Sequence, residues 1–143
     1  MAIRKAKKED LENILELNKL FHLDIPGFKW DTREWVIGEI EDNNYFVFEK
    51  GGETTGALCI NVDDCDAYVE AIAVRGNLHK TGVGRKLISF AKKYAANEGK
   101  SKLRVESFCE YGVDGFYEKL GFVSGDETET FEGKSYDHFS LNV

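Results

Sequence analysis

The sequence predicts a mixed α/β, or α+β, domain built around a sheet. Three observations predict it. Short apolar segments bounded by turn residues read as strands, longer stretches with apolar residues three and four apart read as helices, and their order is mixed: helices, an antiparallel meander, a strand–helix–strand crossover, then a hairpin. The chain has 143 residues, of which 42% are hydrophobic and 13% aromatic. That supplies enough apolar surface for one core without metals or disulfides, so a single domain over residues 1–143 is expected.

Taken in order, Ala2 to Ala6 is a short strand. A helix follows from about Glu9, with Leu11, Ile14, Leu15, Asn18 and Phe21 along one face. Residues 24–30, containing the only proline, Pro26, and Gly27, break it. Asp31 then reads as the N-cap of a second helix through Trp35, Val36 and Ile40. Tyr45 to Glu49 is a strand and Gly51-Gly52 a turn; Thr54 to Val62 and Ala67 to Val74 are two more strands. Gly82 to Glu98 is helical, with Val83, Leu87 and Ala91 on one stripe and Gly99 as the stop. Leu103 to Phe108 is a strand. Val113 to Leu120 is a short helix ended by Gly121, and Glu132 to Lys134 turns between two final strands.

Composition excludes several classes. Nineteen basic residues against 26 acidic ones give a formal net charge of -7, which argues against a nucleic-acid surface and favours a cationic small ligand. The three cysteines, Cys59, Cys65 and Cys109, have no paired spacing; they read as free thiols in a reducing cytosol, with Cys109 packed in the core. The start carries no signal-peptide pattern, and no stretch approaches the roughly 20 apolar residues of a membrane span. His22, His79 and His138 lack ligand spacing. Asp63, Asp64 and Asp66 lack the glycine and distant Glu of a calcium loop, so no metal is expected.

Tyr68 to Leu87 reads YVEAIAVRGNLHKTGVGRKL. A strand runs through a glycine-containing loop straight into a helix. Free N–H groups and the helix dipole at such a start favour an anion, and glycine lets a phosphate approach the main chain. Lys80, Arg85 and Lys86 add local positive charge to an acidic protein. The P-loop spacing fails, because Gly76 is followed five positions later by Thr81. The dinucleotide fingerprint fails too, because Leu87 stands at its third glycine. A plain loop-to-helix turn remains the alternative. A second stretch, GFYEKLGF from Gly115 to Phe122, reads by itself as an amphipathic helix capped by glycine.

Together these stretches resemble the GNAT family of N-acetyltransferases, whose phosphate motif is Q/R-x-x-G-x-G/A after a strand ending in a pair such as Ala73-Val74. The corresponding region is HKTGVG, from His79 to Gly84. The later F-Y-E-K-x-G-F pattern is met by Phe116 to Phe122. The resemblance implies the acyl-CoA N-acyltransferase fold: a central twisted mixed sheet of about six or seven strands with helices on both faces. It implies acetyl-CoA as cosubstrate and a primary amine as acceptor. The coenzyme's diphosphate is expected on His79, Lys80, Thr81, Gly82, Val83, Gly84 and Arg85, and its pantetheine arm along Ile72, Ala73 and Val74. His79 departs from the usual Gln or Arg. Glu110 stands where an Asn that bonds the coenzyme is common, so that contact is either missing or supplied by Tyr111.

The same resemblance makes Tyr117 the general acid, or else a packing residue. It makes Glu70 the base or water-holder, or else an ordinary strand carboxylate. An acceptor site is implied between the first two helices, using Phe21, Asp24, Phe28 and Trp30; a hydrophobic hinge is the alternative. Rival readings are an inactive acyl-CoA-binding sensor and a peptide N-terminal acetyltransferase. The resemblance also implies pairing through the last strands into a homodimer; the cysteines, charge and hydropathy described above lead to the expectation of a cytoplasmic protein with no nucleic-acid or membrane partner.

Overall fold

The computed structural model describes residues 3–76, 81–125 and 127–143. Eight strands form one open mixed sheet: β1 (Ile3–Lys5), β2 (Tyr45–Lys50), β3 (Glu53–Val62), β4 (Asp66–Val74), β5 (Lys102–Phe108), β6 (Val123–Ser124), β7 (Glu129–Phe131) and β8 (Lys134–Asn142), in the order β1-β2-β3-β4-β5-β8-β6, with β7 paired to β8. All neighbours are antiparallel except β4 and β5. The helices are α1 (Leu11–Lys19), α2 (Arg33–Glu41), α3 (Val83–Asn97) and α4 (Asp114–Lys119). One more strand is present than the six or seven expected. The addition is β6, two exposed residues held only by Ser140 and Phe139 of β8, with no apolar pattern of its own.

Each face of the sheet carries its own core. Phe46, Phe48, Leu58, Ile60 and Leu103 pack under α3 and α4. Tyr45, Val47, Ala57, Cys59, Ala71 and Ala73 pack under α1 and α2. Strand alternation makes this division possible, since successive side chains point to opposite faces. The stripe on α1 includes Asn18 because that buried amide has work to do. It donates to the Tyr45 hydroxyl at 2.9 Å and to the Trp30 carbonyl at 2.7 Å, tying the α1–α2 connection to the sheet.

Two local expectations are corrected. The N-cap of α2 is Thr32, whose hydroxyl accepts from the Trp35 N–H at 3.3 Å; the Asp31 carboxylate is instead engaged by His22 at 2.7 Å. Cys109 is exposed rather than packed in the core. It begins a 3-10 turn after β5, and its sulfur meets the Asp137 carboxylate at 3.5 Å.

The start of α3 is seated on β3 at Gly56. A Cβ there would stand 2.9 Å from Val83 Cγ1 and 3.1 Å from Leu87 Cδ1. Gly56→Val therefore forces the first turn of α3 away from the sheet. It is expected to cost about 1–3 kcal/mol by overpacking, read as a Tm several degrees below the parent's in thermal denaturation. An unchanged Tm would show that this contact is slack.

Candidate functional site

The site is made by a fork in the sheet. β4 and β5 pair in parallel only from Asp66–Lys102 to Val69–Val105, yet β4 runs on to Val74 and β5 to Phe108. Beyond Val69 the edge of β4 that faces β5 has no strand partner. Glu70 stands where the strands part, and there β4 carries a bulge: Ile60 pairs with Val69 and Cys59 with Ala71, leaving Glu70 unopposed. A bulge shifts the alternation by one residue. Before it, Ala67 and Val69 face the α3 core; after it, Ala71 and Ala73 face the α1–α2 core.

A cavity of about 600 Å³ occupies the fork. One wall is β4 from Tyr68 to Val74 and the opposite wall is β5 from Arg104 to Phe108; Leu17, Leu20, Phe21 and Trp30 close one side, and Phe131 and Tyr136 from the final hairpin another. The two sides touch, since Gly27 lies against Phe131, where a Cβ would come within 3.7 Å of the ring.

Glu70 lines this cavity and keeps an exposed surface there, with protein packed around the rest of the side chain. Burial raises its pKa above the ordinary glutamate value, and the carboxylates of Glu39 and Glu106 push the same way, against Lys29 and Trp30. The Trp30 indole N–H is buried without a hydrogen-bond partner among the described residues. It nonetheless lies near enough to favour the ionised form of Glu70.

Tyr117, on α4, also lines the cavity while only 2% of its surface is exposed. Its ring is held by Phe116, Phe122 and Phe139 at centroid distances of 5.1, 5.5 and 5.2 Å. This explains the aromatic pattern of residues 116–122: the flanking rings clamp the phenol. Desolvation alone pushes its pKa well above that of a free tyrosine, so the hydroxyl stays protonated across the neutral range.

At the other end of the fork, Gly82 caps α3 in the left-handed conformation, φ +78°, a backbone that a side chain would strain. The first intrahelical bond runs from the Lys86 N–H to the Gly82 carbonyl. The amides of Gly84 and Arg85 therefore precede the ladder, as at any helix start, and no side chain caps them. His79 and Lys80 lie outside the described residues.

The structure gathers Glu70, Ile72, Ala73, Val74, Phe21, Trp30, Tyr111 and Tyr117 around one cavity. Thr81, Gly82, Val83, Gly84 and Arg85 form the approach to α3 beyond it. Asp24 is not brought in: its side chain is fully exposed beside His22. Nor is Phe28, which is buried behind Trp30 and Phe21 as their support. The Tyr111 hydroxyl donates to the Phe21 carbonyl at 2.6 Å, so its proton is already engaged in latching the α1–α2 connection to the turn after β5. Sequence reasoning missed Glu106, Phe108, Phe131 and Tyr136. Alternation along β5 was the available signal for the first two: Leu103, Val105 and Ser107 are buried, leaving Arg104, Glu106 and Phe108 on the other face. Among the described residues no cluster could hold a metal ion, and no helix is long and apolar enough to cross a membrane.

Fork, glycine-capped helix and cavity are set together on one open mixed sheet. Residues 4–122 match the Acetyltransferase (GNAT) family, and the chain belongs to that family. A sequence search of curated proteins gives no match. Solved structures with the same fold include Ard1 from Thermoplasma volcanium (17% identity, TM-score 0.81, covering 99% of this chain and 96% of that one). They also include the ribosomal-protein-alanine N-acetyltransferase from Brucella melitensis (17%, TM-score 0.79, all of both chains). A third is N-acetylglutamate synthase from Neisseria gonorrhoeae, complexed with coenzyme A and N-acetyl-glutamate (18%, TM-score 0.75, covering 98% of this chain and 35% of that one).

Proposed function

We propose that the chain is an N-acetyltransferase that moves the acetyl group of acetyl-CoA onto a primary amine by direct attack in a ternary complex. The observation that carries this reading is the parting of β4 and β5 at Glu70. It leaves main-chain groups of residues 70–74 free to pair with a slender extended ligand, as an added strand would. The amides of Gly84 and Arg85 at the start of α3 suit the ligand's diphosphate, with Thr81, whose hydroxyl accepts from the Val83 N–H at 3.4 Å, beside them. Val74 and Ile72 border the arm. The coenzyme supplies the acetyl thioester.

The chain's own groups then have separate tasks. Glu70 takes a proton from the ammonium form of the acceptor, directly or through one water. A lysine-like amine needs such help, since freeing it at pH 7 costs roughly 4–5 kcal/mol from an unperturbed pKa of about 10.4. A main-chain N–H of the open β4 edge holds the carbonyl oxygen as negative charge grows on it. Tyr117, held protonated, gives its proton to the departing sulfur and regains one from the proton that the attacking nitrogen sheds as the amide forms. Three free cysteines support a reducing, cytosolic setting, and the net charge of -7 favours approach of a cation.

The test is thiol release from acetyl-CoA across a panel of amines, alongside calorimetric titration of coenzyme A. Amine-dependent release is expected. Coenzyme binding without turnover of any amine would make the chain a sensor, and absence of coenzyme binding would remove the reading altogether.

A further inference from the structure

The acceptor end of the cavity has a composition that narrows the amine, given that the chain is an N-acetyltransferase. Its walls are rings. Trp30 meets Phe108 and Phe131 at centroid distances of 6.3 and 6.4 Å, both edge-on. Phe108 meets Tyr111 at 5.8 Å, Phe131 at 6.5 Å and Tyr136 at 6.1 Å. All five border the cavity and none is fully buried, so each keeps surface for a ligand. They come from three separate places in the chain: the α1–α2 connection, the end of β5 with its turn, and the β7–β8 hairpin.

The charges at this end are few. Among the described residues lining the cavity the only carboxylates are Glu70 and Glu106. Each follows the last paired residues, Val69 and Val105, on adjoining strands, and the Glu106 carboxylate contributes the smallest of the influences on Glu70. They form one anionic locus, not a row. Of the two lining cations, Arg104 is committed to Asp66 at 2.6 Å, whereas Lys29, over the Trp30 ring at 5.7 Å, also acts on Glu70 and has to yield to an incoming ammonium. A polyamine would need further anionic positions along the wall, and the rings offer none.

We propose that the acceptor is a primary arylalkylamine: its ammonium group is drawn to the Glu70–Glu106 locus, and its ring lies among Trp30, Phe108, Phe131 and Tyr136. Edge-to-face packing is what a ring gains there over an alkyl chain of similar apolar area. The two-sided wall also fixes distance. The ring stands one short linker from the nitrogen, because Trp30 lies beside Glu70 and Phe108 is two residues beyond Glu106 on the same face of β5.

The experiment measures kcat/KM with the full chain at saturating acetyl-CoA for 2-phenylethylamine, n-hexylamine, spermidine and a short peptide with a free N-terminal alanine. Phenylethylamine is expected to exceed hexylamine by about tenfold, the scale of one or two favourable ring contacts. Phe131→Leu, a change on an exposed hairpin that keeps apolar bulk, is expected to bring that ratio down to about two. Hexylamine equal to phenylethylamine, or a ratio that survives Phe131→Leu, overturns the ring wall as the recognition element. Spermidine or the peptide as the best acceptor overturns the substrate class while leaving acetyl transfer standing. No amine-dependent thiol release overturns both.

Discussion

Tyr117→Phe is expected to lower kcat by roughly 100-fold or more, the usual scale of a lost general acid, while coenzyme affinity and Tm stay near those of the parent. The split between rate and stability follows from how the residue is held. Its ring fills the space among Phe116, Phe122 and Phe139, and phenylalanine fills it as well. Its hydroxyl has no hydrogen-bond partner recorded among the described residues, so removing it orphans nothing known in the fold. If the proton on that oxygen goes to the leaving sulfur, only turnover suffers. Steady-state kinetics with thermal denaturation decides it: an unchanged kcat would make Tyr117 a packing residue, and a Tm loss of several degrees would reveal an unrecognised structural bond.

Glu70→Gln is expected to lower kcat/KM by about 100-fold at neutral pH and to change the shape of the pH profile. Burial and two neighbouring carboxylates raise the pKa of Glu70. A base works only when ionised, so activity in the parent falls as pH drops through that raised value. The acid limb therefore lies above the position of an ordinary glutamate near 4.3. In the glutamine variant this limb is absent, and the remaining slope belongs to the acceptor amine. Stability runs the other way. The folded protein binds the Glu70 proton more tightly than the unfolded chain, so the ionised carboxylate costs stability above its raised pKa and costs nothing below the unfolded value. The variant should thus match or exceed the parent Tm at pH 7, a function-for-stability exchange typical of working sites. Superimposable pH profiles would reduce Glu70 to an ordinary strand carboxylate.

The fold was largely legible because its signals are local. The stripe of Val83, Leu87 and Ala91, the Gly51-Gly52 turn, and the glycines after α3 and α4 each state a period or a stop within a few residues. What escaped was set at long range. β6 exists only because β8 offers it a partner. Asp31 lost the cap to Thr32 because His22 claimed its carboxylate. The order of elements, with the two motifs, was enough to place Glu70, Ile72 to Val74 and Tyr117 on one cavity. It could not show that the α1–α2 connection presents Trp30 and Phe21 inward while Asp24 points to solvent. Phe131 and Tyr136 join the site only because β8, with β7 at its side, pairs with β5, and no spacing in the chain announces that pairing.

The fork between β4 and β5 also bears on solubility. Unpaired main-chain N–H and C=O groups on the perimeter of a sheet invite a second protein to dock strand against strand. Here a comparable open edge is set in the middle of the sheet, inside a cleft walled by β5, Trp30 and the last hairpin. A thin, flexible molecule can slide in, whereas another folded chain is too thick to follow. Geometry alone thus separates adhesion to a small partner from self-association, with no charged guard residue needed along those five positions beyond Glu70 itself.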